Sequence, residues 1–201
     1  FQSSLMNRCF PWRQRPSPWA SSLGGSSDCL PHCTLLATDQ FLYCQEHHSQ
    51  SAPDGRKKSG RRNCGEIKPT GSTTGTVVWE WHLKDHLCQT SSSSNTYATY
   101  VTDVKQHPEL FYVACSTNGG VATDWFHTNG LDYNPTLDQI VWCSHIKNEL
   151  YVIDHSTTTA QAATHTGGKS GKGGDFLYRW GSPENYGCTA DGNGISLSVI
   201  H

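Results

Sequence analysis

Charge is scarce in this sequence. Only 16% of its 201 residues are Asp, Glu, Lys or Arg and the net charge is -2, so there is no basic field to hold nucleic acid or an anionic membrane. Long apolar runs are missing as well: no stretch approaches the ~20 residues that a membrane-spanning helix needs. No basic end followed by an apolar segment is seen after Phe1, so no signal peptide is visible; a chain that opens without methionine need not open at its native start. The nine cysteines are odd in number, which leaves at least one without a partner in the chain, and their scattered spacing defines no disulfide framework. Redox compartment is therefore not readable from them.

Glycine and tryptophan are plentiful instead, 19 and seven residues against a single methionine, the profile of an all-β or loop-rich domain. Three zones follow. Residues 1–65 are rich in Ser, Pro, Cys and Arg, keep neither a period of 2 nor one of 3.6, and end in the basic groups Arg56-Lys57-Lys58 and Arg61-Arg62. They are expected to be irregular and poorly ordered, with one short strand over 40–43. Residues 66–187 are the β-rich body, interrupted by a polar insertion opening at Ser91, in which His107-Pro108-Glu109-Leu110 is expected to start a helical turn. Residues 188–201 change character again, with a small strand-like run over 195–200.

Within the body, residues 129–180 spell a four-stranded meander. Gly130-Leu131-Asp132-Tyr133 alternates apolar and polar, Asn134-Pro135-Thr136 turns, and Gln139-Ile140-Val141-Trp142-Cys143 is a run of strand formers. Leu150-Tyr151-Val152-Ile153 is the strongest strand signal, and 175–180 supplies the fourth strand after a Gly/Thr-rich loop. An echo supports repetition: 75–81 and 174–180 both read as a glycine, strand formers, a charged residue and a tryptophan. Matching strand ends so far apart suggest successive blades of a radial array. Just before the meander stands Asp124-Trp125-Phe126-His127-Thr128-Asn129, a histidine where such sheets carry chemistry.

Other patterns are weaker. Cys29-x3-Cys33, Cys44 and His47-His48 have zinc-ligand chemistry but not the Cys-x2-Cys spacing of a zinc knuckle. Gly168-Lys169-Ser170 resembles the end of a phosphate-binding loop, but Ala163 stands where its first glycine belongs, and the segment reads as a flexible loop between strands. His82 and His86 have helical metal spacing without the glutamate of a zincin, and are expected as loop or surface groups. No metal site and no cofactor are expected.

The body then becomes recognisable. Lys68-Pro69-Thr70-Gly71, Thr76-Val77-Val78-Trp79-Glu80-Trp81-His82, Asp85-His86-Leu87, His107-Pro108-Glu109-Leu110, Asp124-Trp125-Phe126-His127-Thr128-Asn129, Asp132-Tyr133-Asn134-Pro135, Val152-Ile153-Asp154-His155-Ser156-Thr157-Thr158 and His165-Thr166-Gly167-Gly168 through Leu177-Tyr178-Arg179-Trp180-Gly181 resemble the bacterial arylsulfotransferase family over roughly 66–187. The resemblance implies an all-β, partial β-propeller, two to three blades of a six-bladed type. It implies sulfuryl transfer from an aryl sulfate to a phenol through a histidine intermediate, without a nucleotide sulfate donor, and a periplasmic or secreted location.

It also implies roles for particular residues. His127 matches a family active-site histidine that contacts the sulfuryl group, Asp124 and Asn129 are its local supports, and His145 holds a nearby family position on the next hairpin. Gly130 stands where the family usually has serine. The family's later words, a Gln-His pair, an Asn-Gly-x-Gly-Arg segment and the histidine thought to be sulfated, have no counterpart after Gly187. A blade needs ~40 to 50 residues, so 201 residues cannot close a six-bladed ring. A fragment with little activity alone is expected, with one or both ends read out of frame. A hydrogen-bonded structural role is the commoner one for His155 and His165, and His127 itself has the alternative of a core histidine satisfied by Asp124. The competing function is a non-catalytic propeller segment that binds or scaffolds a partner.

Overall fold

The structure is a computed structural model that describes residues 32–36, 40–46, 62–72, 74–91, 98–113, 126, 128–181, 185 and 196–199; the side chains of 32–35, 41, 44–46, 62, 129 and 196–199 are not described. Two antiparallel meanders dominate. The first runs β1 (His32–Leu35), β2 (Phe41–Glu46), β3 (Arg62–Pro69) and β4 (Gly75–His82) in spatial order 1-2-3-4. The second runs β8 (Thr128–Asn134), β9 (Gln139–Ser144), β10 (Glu149–Asp154), β11 (Tyr178–Gly181) and β12 (Ser196–Val199), each strand beside the next. Between them, β5 (Leu87–Gln89), β6 (Thr99–Tyr100) and β7 (Phe111–Tyr112) form a small parallel sheet with β5 central. Among the described residues, the helical elements are two 3-10 turns, Leu83–His86 and Val104–Gln106, and the single-turn α1 (Thr159–Ala162), with Asn185 also in 3-10 conformation.

Alternation explains the second sheet. Along β9, Ile140, Trp142 and Ser144 are buried and their neighbours half-buried, and β10 repeats the pattern with Glu149, Tyr151 and Ile153. β1 and β2 pack against β8, so the two meanders share one core. Its aromatic centre is Phe111, Phe126, Trp142, Tyr151 and Phe176, with Trp81 of β4 reaching in against Trp142 at 5.3 Å between ring centroids. Burying each such ring contributes roughly 1.5–3 kcal/mol.

The predicted meander is present, with differences that have local causes. The fourth strand begins at Tyr178 rather than 175, because the residues before it bond elsewhere: Asp175 N donates to Lys172 O and Phe176 N to Glu109 O. The two echoing segments end on the fourth strands of their respective meanders, β4 and β11. Their facing differs, since Trp81 is buried where Trp180 is half-buried and Arg179 takes the inward place, a one-residue change of parity. β2 extends the short strand expected over 40–43, whereas β1 and the start of β3 lie in the stretch read from sequence as irregular, and the boundary placed at 65/66 falls within β3. β3 escapes a periodicity search because it buries polar residues, Asn63 and Glu66, and carries a bulge between Glu66 and Ile67. Where a helical turn was expected to start, 107–110 makes a single hydrogen-bonded turn, Leu110 N donating to His107 O, and the helical turn is the 3-10 one just before it, Val104–Gln106.

Candidate functional site

One end of the second sheet gathers the described part of the predicted site. Thr128, the first residue of β8, pairs with Ser144, the last of β9; Gly130 pairs with Cys143, so Asn129 is the extra residue of a bulge. Bulges of this kind re-aim a strand and are frequent beside active sites. Ser144 is fully buried, and its hydroxyl donates to Phe126 O while accepting from Lys147 N at 3.1 Å. Exposed His145 follows in the tight β9–β10 turn, which closes through Asn148 N to His145 O, with Asn148 in the left-handed region (φ 49°) that asparagine tolerates. His127 and Asp124 lie outside the described residues, and of Asn129 only the backbone is described.

Under that turn sits a buried ionic clasp that no motif announced. Arg179 and Glu149 are both fully buried and meet bidentately, Nε to Oε1 at 2.5 Å and Nη2 to Oε2 at 2.8 Å. Arg179 Nη1 also donates to the carbonyls of Pro108 (3.2 Å) and Leu110 (3.1 Å). Tyr151 Oη and Asn185 Nδ2 each donate to Glu149 Oε2 at 2.8 Å, and Asn185 Nδ2 also donates to Lys147 O in the turn itself. The signal available was parity: Glu149 stands two residues before Tyr151 on the inward face of β10.

The opposite end of the sheet lies roughly 17 Å away, the five steps of about 3.4 Å along the six-residue β10. It holds His155, whose Nδ1 is 2.9 Å from Asp138 Oδ1; Tyr133 Oη and Lys169 Nζ donate to the same carboxylate at 2.8 and 3.2 Å. Burial pushes the Asp138 carboxyl up, but hydrogen bonds from His155, Tyr133 and Lys169 together outweigh it and hold it below its ordinary value. The Tyr133 phenol is raised to about 12, by burial first and then by the Asp138 hydrogen bond and the charges of Asp138 and Glu66. His155 Nε2 is 3.3 Å from Glu66 Oε2, inside ion-pair range yet not aligned for a hydrogen bond. His155 thus has the structural role expected for it, and it is remote from His145.

A third group lies where β4 faces the segment after α1. Trp79 and Trp81, two residues apart on one face of the strand, each carry a histidine: Trp79 meets His155 edge-on at 4.8 Å, and Trp81 stacks parallel on His86 at 5.4 Å. His86 was expected as a loop or surface group but is completely buried. Its Nε2 is 2.8 Å from Ala162 O and its Nδ1 2.7 Å from Asp175 Oδ1, which His165 Nδ1 approaches from the other side, also at 2.7 Å. The loop between is laced rather than slack: Ser170 N donates to Asp154 Oδ2, Lys169 N to Ser156 Oγ and Gly173 N to Gly167 O. Four of its glycines have positive φ, and at Gly173 a side chain would also overlap the backbone of Thr164 and Thr166.

The described residues are almost free of helix and form antiparallel meanders, with His145 and His155 at opposite ends of the second sheet. The sequence profile described as Arylsulfotransferase (ASST) matches residues 28–162, and the chain belongs to that family. The match takes in β1 to β3 and so reaches well upstream of residue 66. No curated protein and no solved structure matches the chain.

Proposed function

We propose that this protein takes part in sulfuryl transfer from an aryl sulfate to a phenol, with His127 and His145 as donors to the sulfuryl oxygens and Asp124 and Asn129 as supports for His127. The membership of residues 28–162 in the arylsulfotransferase family carries this reading. The end of the second sheet supports it. Phe126 and Thr128, the chain neighbours of His127, are both tied to Ser144, and Ser144 directly precedes His145. We read the two meanders as neighbouring propeller blades.

The chemistry asks little covalent work of these residues. A sulfuryl group, like a phosphoryl group, passes through a loose transition state with charge on its peripheral oxygens, so fixed N–H donors stabilise it. In the family route a histidine nitrogen attacks sulfur, the sulfur–oxygen bond to the ring breaks, and the phenolate leaves with the electron pair. The acceptor phenol oxygen then attacks the same sulfur, loses its proton, and releases the imidazole. Imidazole suits this because it serves near neutral pH both as nucleophile and, when protonated, as donor.

The test uses the whole chain with a nitrophenyl sulfate and a phenol, reading nitrophenolate release and, in parallel, equilibrium binding of the aryl sulfate. Binding or turnover that falls at least ten-fold in His127→Ala, and less in His145→Ala, supports the assignment. Neither binding nor release in the wild type, or the same values in both variants, refutes it and favours the scaffold alternative.

A further inference from the structure

We propose that His86, His165 and Asp175 form a binding site for one divalent first-row transition ion of the zinc class. The inference goes beyond the sulfuryl-transfer reading and does not depend on it. One side-chain donor atom from each residue lies within 4.8 Å of the other two. The donor set, two imidazoles and a carboxylate, is that of three-ligand zinc sites with a fourth position left for water. Nitrogen donors argue against magnesium or calcium, which take oxygen.

The hydrogen bonds supply the second observation. Ala162 O can only accept, so His86 Nε2 must carry the hydrogen in their 2.8 Å bond. A neutral His86 ring then turns the lone pair of Nδ1 toward Asp175 Oδ1 at 2.7 Å. Two lone pairs at that distance repel, so a positive centre belongs between them, either a further proton or a metal ion. A ring that gives one N–H to a backbone carbonyl and points its other nitrogen at a carboxylate and a second imidazole has the outer support usual for metal-ligating histidine. Tetrahedral zinc with bonds near ~2.0–2.1 Å needs donors about 3.3 Å apart, so each histidine nitrogen would draw back from Asp175 by roughly half an ångström while the widest donor pair, within 4.8 Å, closes by up to about 1.5 Å.

The surroundings are built for the ring. Trp81 lies parallel to His86, an interplanar angle of 1°, and Trp81 Nε1 donates to Gly174 O at 2.7 Å. A Cβ on Gly174 would come within 2.6 Å of His86 Nε2, so glycine is what lets the imidazole sit there. Entry is open from one side: the Asp175 side chain is 6% exposed, His165 52%. That exposure also makes His165 the safe position to change.

The experiment titrates the chelator-stripped, full-length chain with Zn²⁺ against a chromophoric competitor, before and after alkylation of the cysteines, and repeats it with Co²⁺ for its absorption spectrum. The expected result is one ion per chain that survives alkylation and gives a cobalt spectrum without a thiolate charge-transfer band. His165→Ala, with an unchanged circular dichroism spectrum, should weaken binding about ten-fold or more. Asp175→Asn should act in the same direction, and Zn²⁺ should raise the melting temperature of the wild type but not of His165→Ala. An affinity that His165→Ala leaves unchanged, a thiolate band that vanishes on alkylation, or no binding above that of the variant overturns the proposal. None of these readouts involves sulfuryl transfer, so failure there and failure here are separate results.

Discussion

Replacing Arg179 by methionine removes the cation paired with Glu149 and leaves that carboxylate buried beneath the β9–β10 turn. Three losses coincide: the bidentate pair, the bonds to the Pro108 and Leu110 carbonyls, and the stacking of the guanidinium over Tyr151 and Phe176 at 5.4 and 5.6 Å. Methionine refills much of the volume, so the uncompensated buried charge accounts for most of the cost, about 3–5 kcal/mol. For a domain of this size that is a fall in melting temperature of roughly 6–20 °C. The double variant Arg179→Met/Glu149→Leu removes the stranded charge and should recover part of the loss. Recovery stays partial because Tyr151 Oη and Asn185 Nδ2 then lose their acceptor. Reversible urea unfolding of the wild type, both single variants and the double variant gives the coupling. A loss below about 1 kcal/mol for Arg179→Met, within the range of a surface pair, would refute the claim that this pair is desolvated.

Further expectations concern the two sheet ends and the helical turn. Ser144→Ala deprives Phe126 O of a buried donor and Lys147 N of an acceptor, at about 1–3 kcal/mol, and should lower aryl sulfate binding if the flanks of His127 matter, read by denaturation and by equilibrium binding. Asp138 has a depressed folded pKa, so its contribution is present above the unfolded value near ~3.9 and lost as pH falls through the folded one; Asp138→Asn should lose that acid-limb dependence, seen in stability measured below about pH 4. Tyr133, raised to about 12 from 10.0, contributes in the opposite sense, fully below its unfolded value and less as pH climbs toward 12; in Asp138→Asn its phenolate absorbance should appear at lower pH than in the wild type. Thr158→Ala removes the side-chain half of the capping box, the acceptor for Gln161 N, while the Thr158 N–H can still donate to Gln161 Oε1, and should cost about 0.5–2 kcal/mol in thermal unfolding.

Much of the fold was legible because strands that bury one face announce themselves by alternation. The cores of β9 and β10 were read within one residue of their ends, and 195–200 contains β12. β3 did not show: it inserts Asn63 and Glu66 into the interior, carries a bulge, and only its hydrogen-bonded neighbours make it a strand. Long-range pairing was equally silent. Nothing in the spacing of His86, His165 and Asp175 brings them together; tertiary packing of β4 on the loop after α1 does. The pairing of Glu149 with Arg179 across β10 and β11 is of the same kind, although a charged residue at an inward position of each strand was visible in principle.

The histidines therefore sort by what their second ring nitrogen can do. His155 faces a carboxylate with each nitrogen and is clamped by Trp79 and Tyr133, which leaves it no reacting atom to aim at a ligand. His86 is equally enclosed, but its contact with Asp175 closes only with a further proton or a metal ion between them, and His165 opens that point to solvent. Two of the three residues there, His165 and Asp175, stand beyond the matched stretch 28–162, so the family profile does not account for the cluster. His145 differs from both: it rides on a tight turn whose underside is pinned by Asn185, Glu149 and Arg179, and a rigid turn at the mouth of a bulged strand pair is the kind of support that positions a group for a ligand. The buried clasp holds that end of the sheet still, which is why a substitution as distant from the chemistry as Arg179→Met should disturb aryl sulfate binding as well as stability.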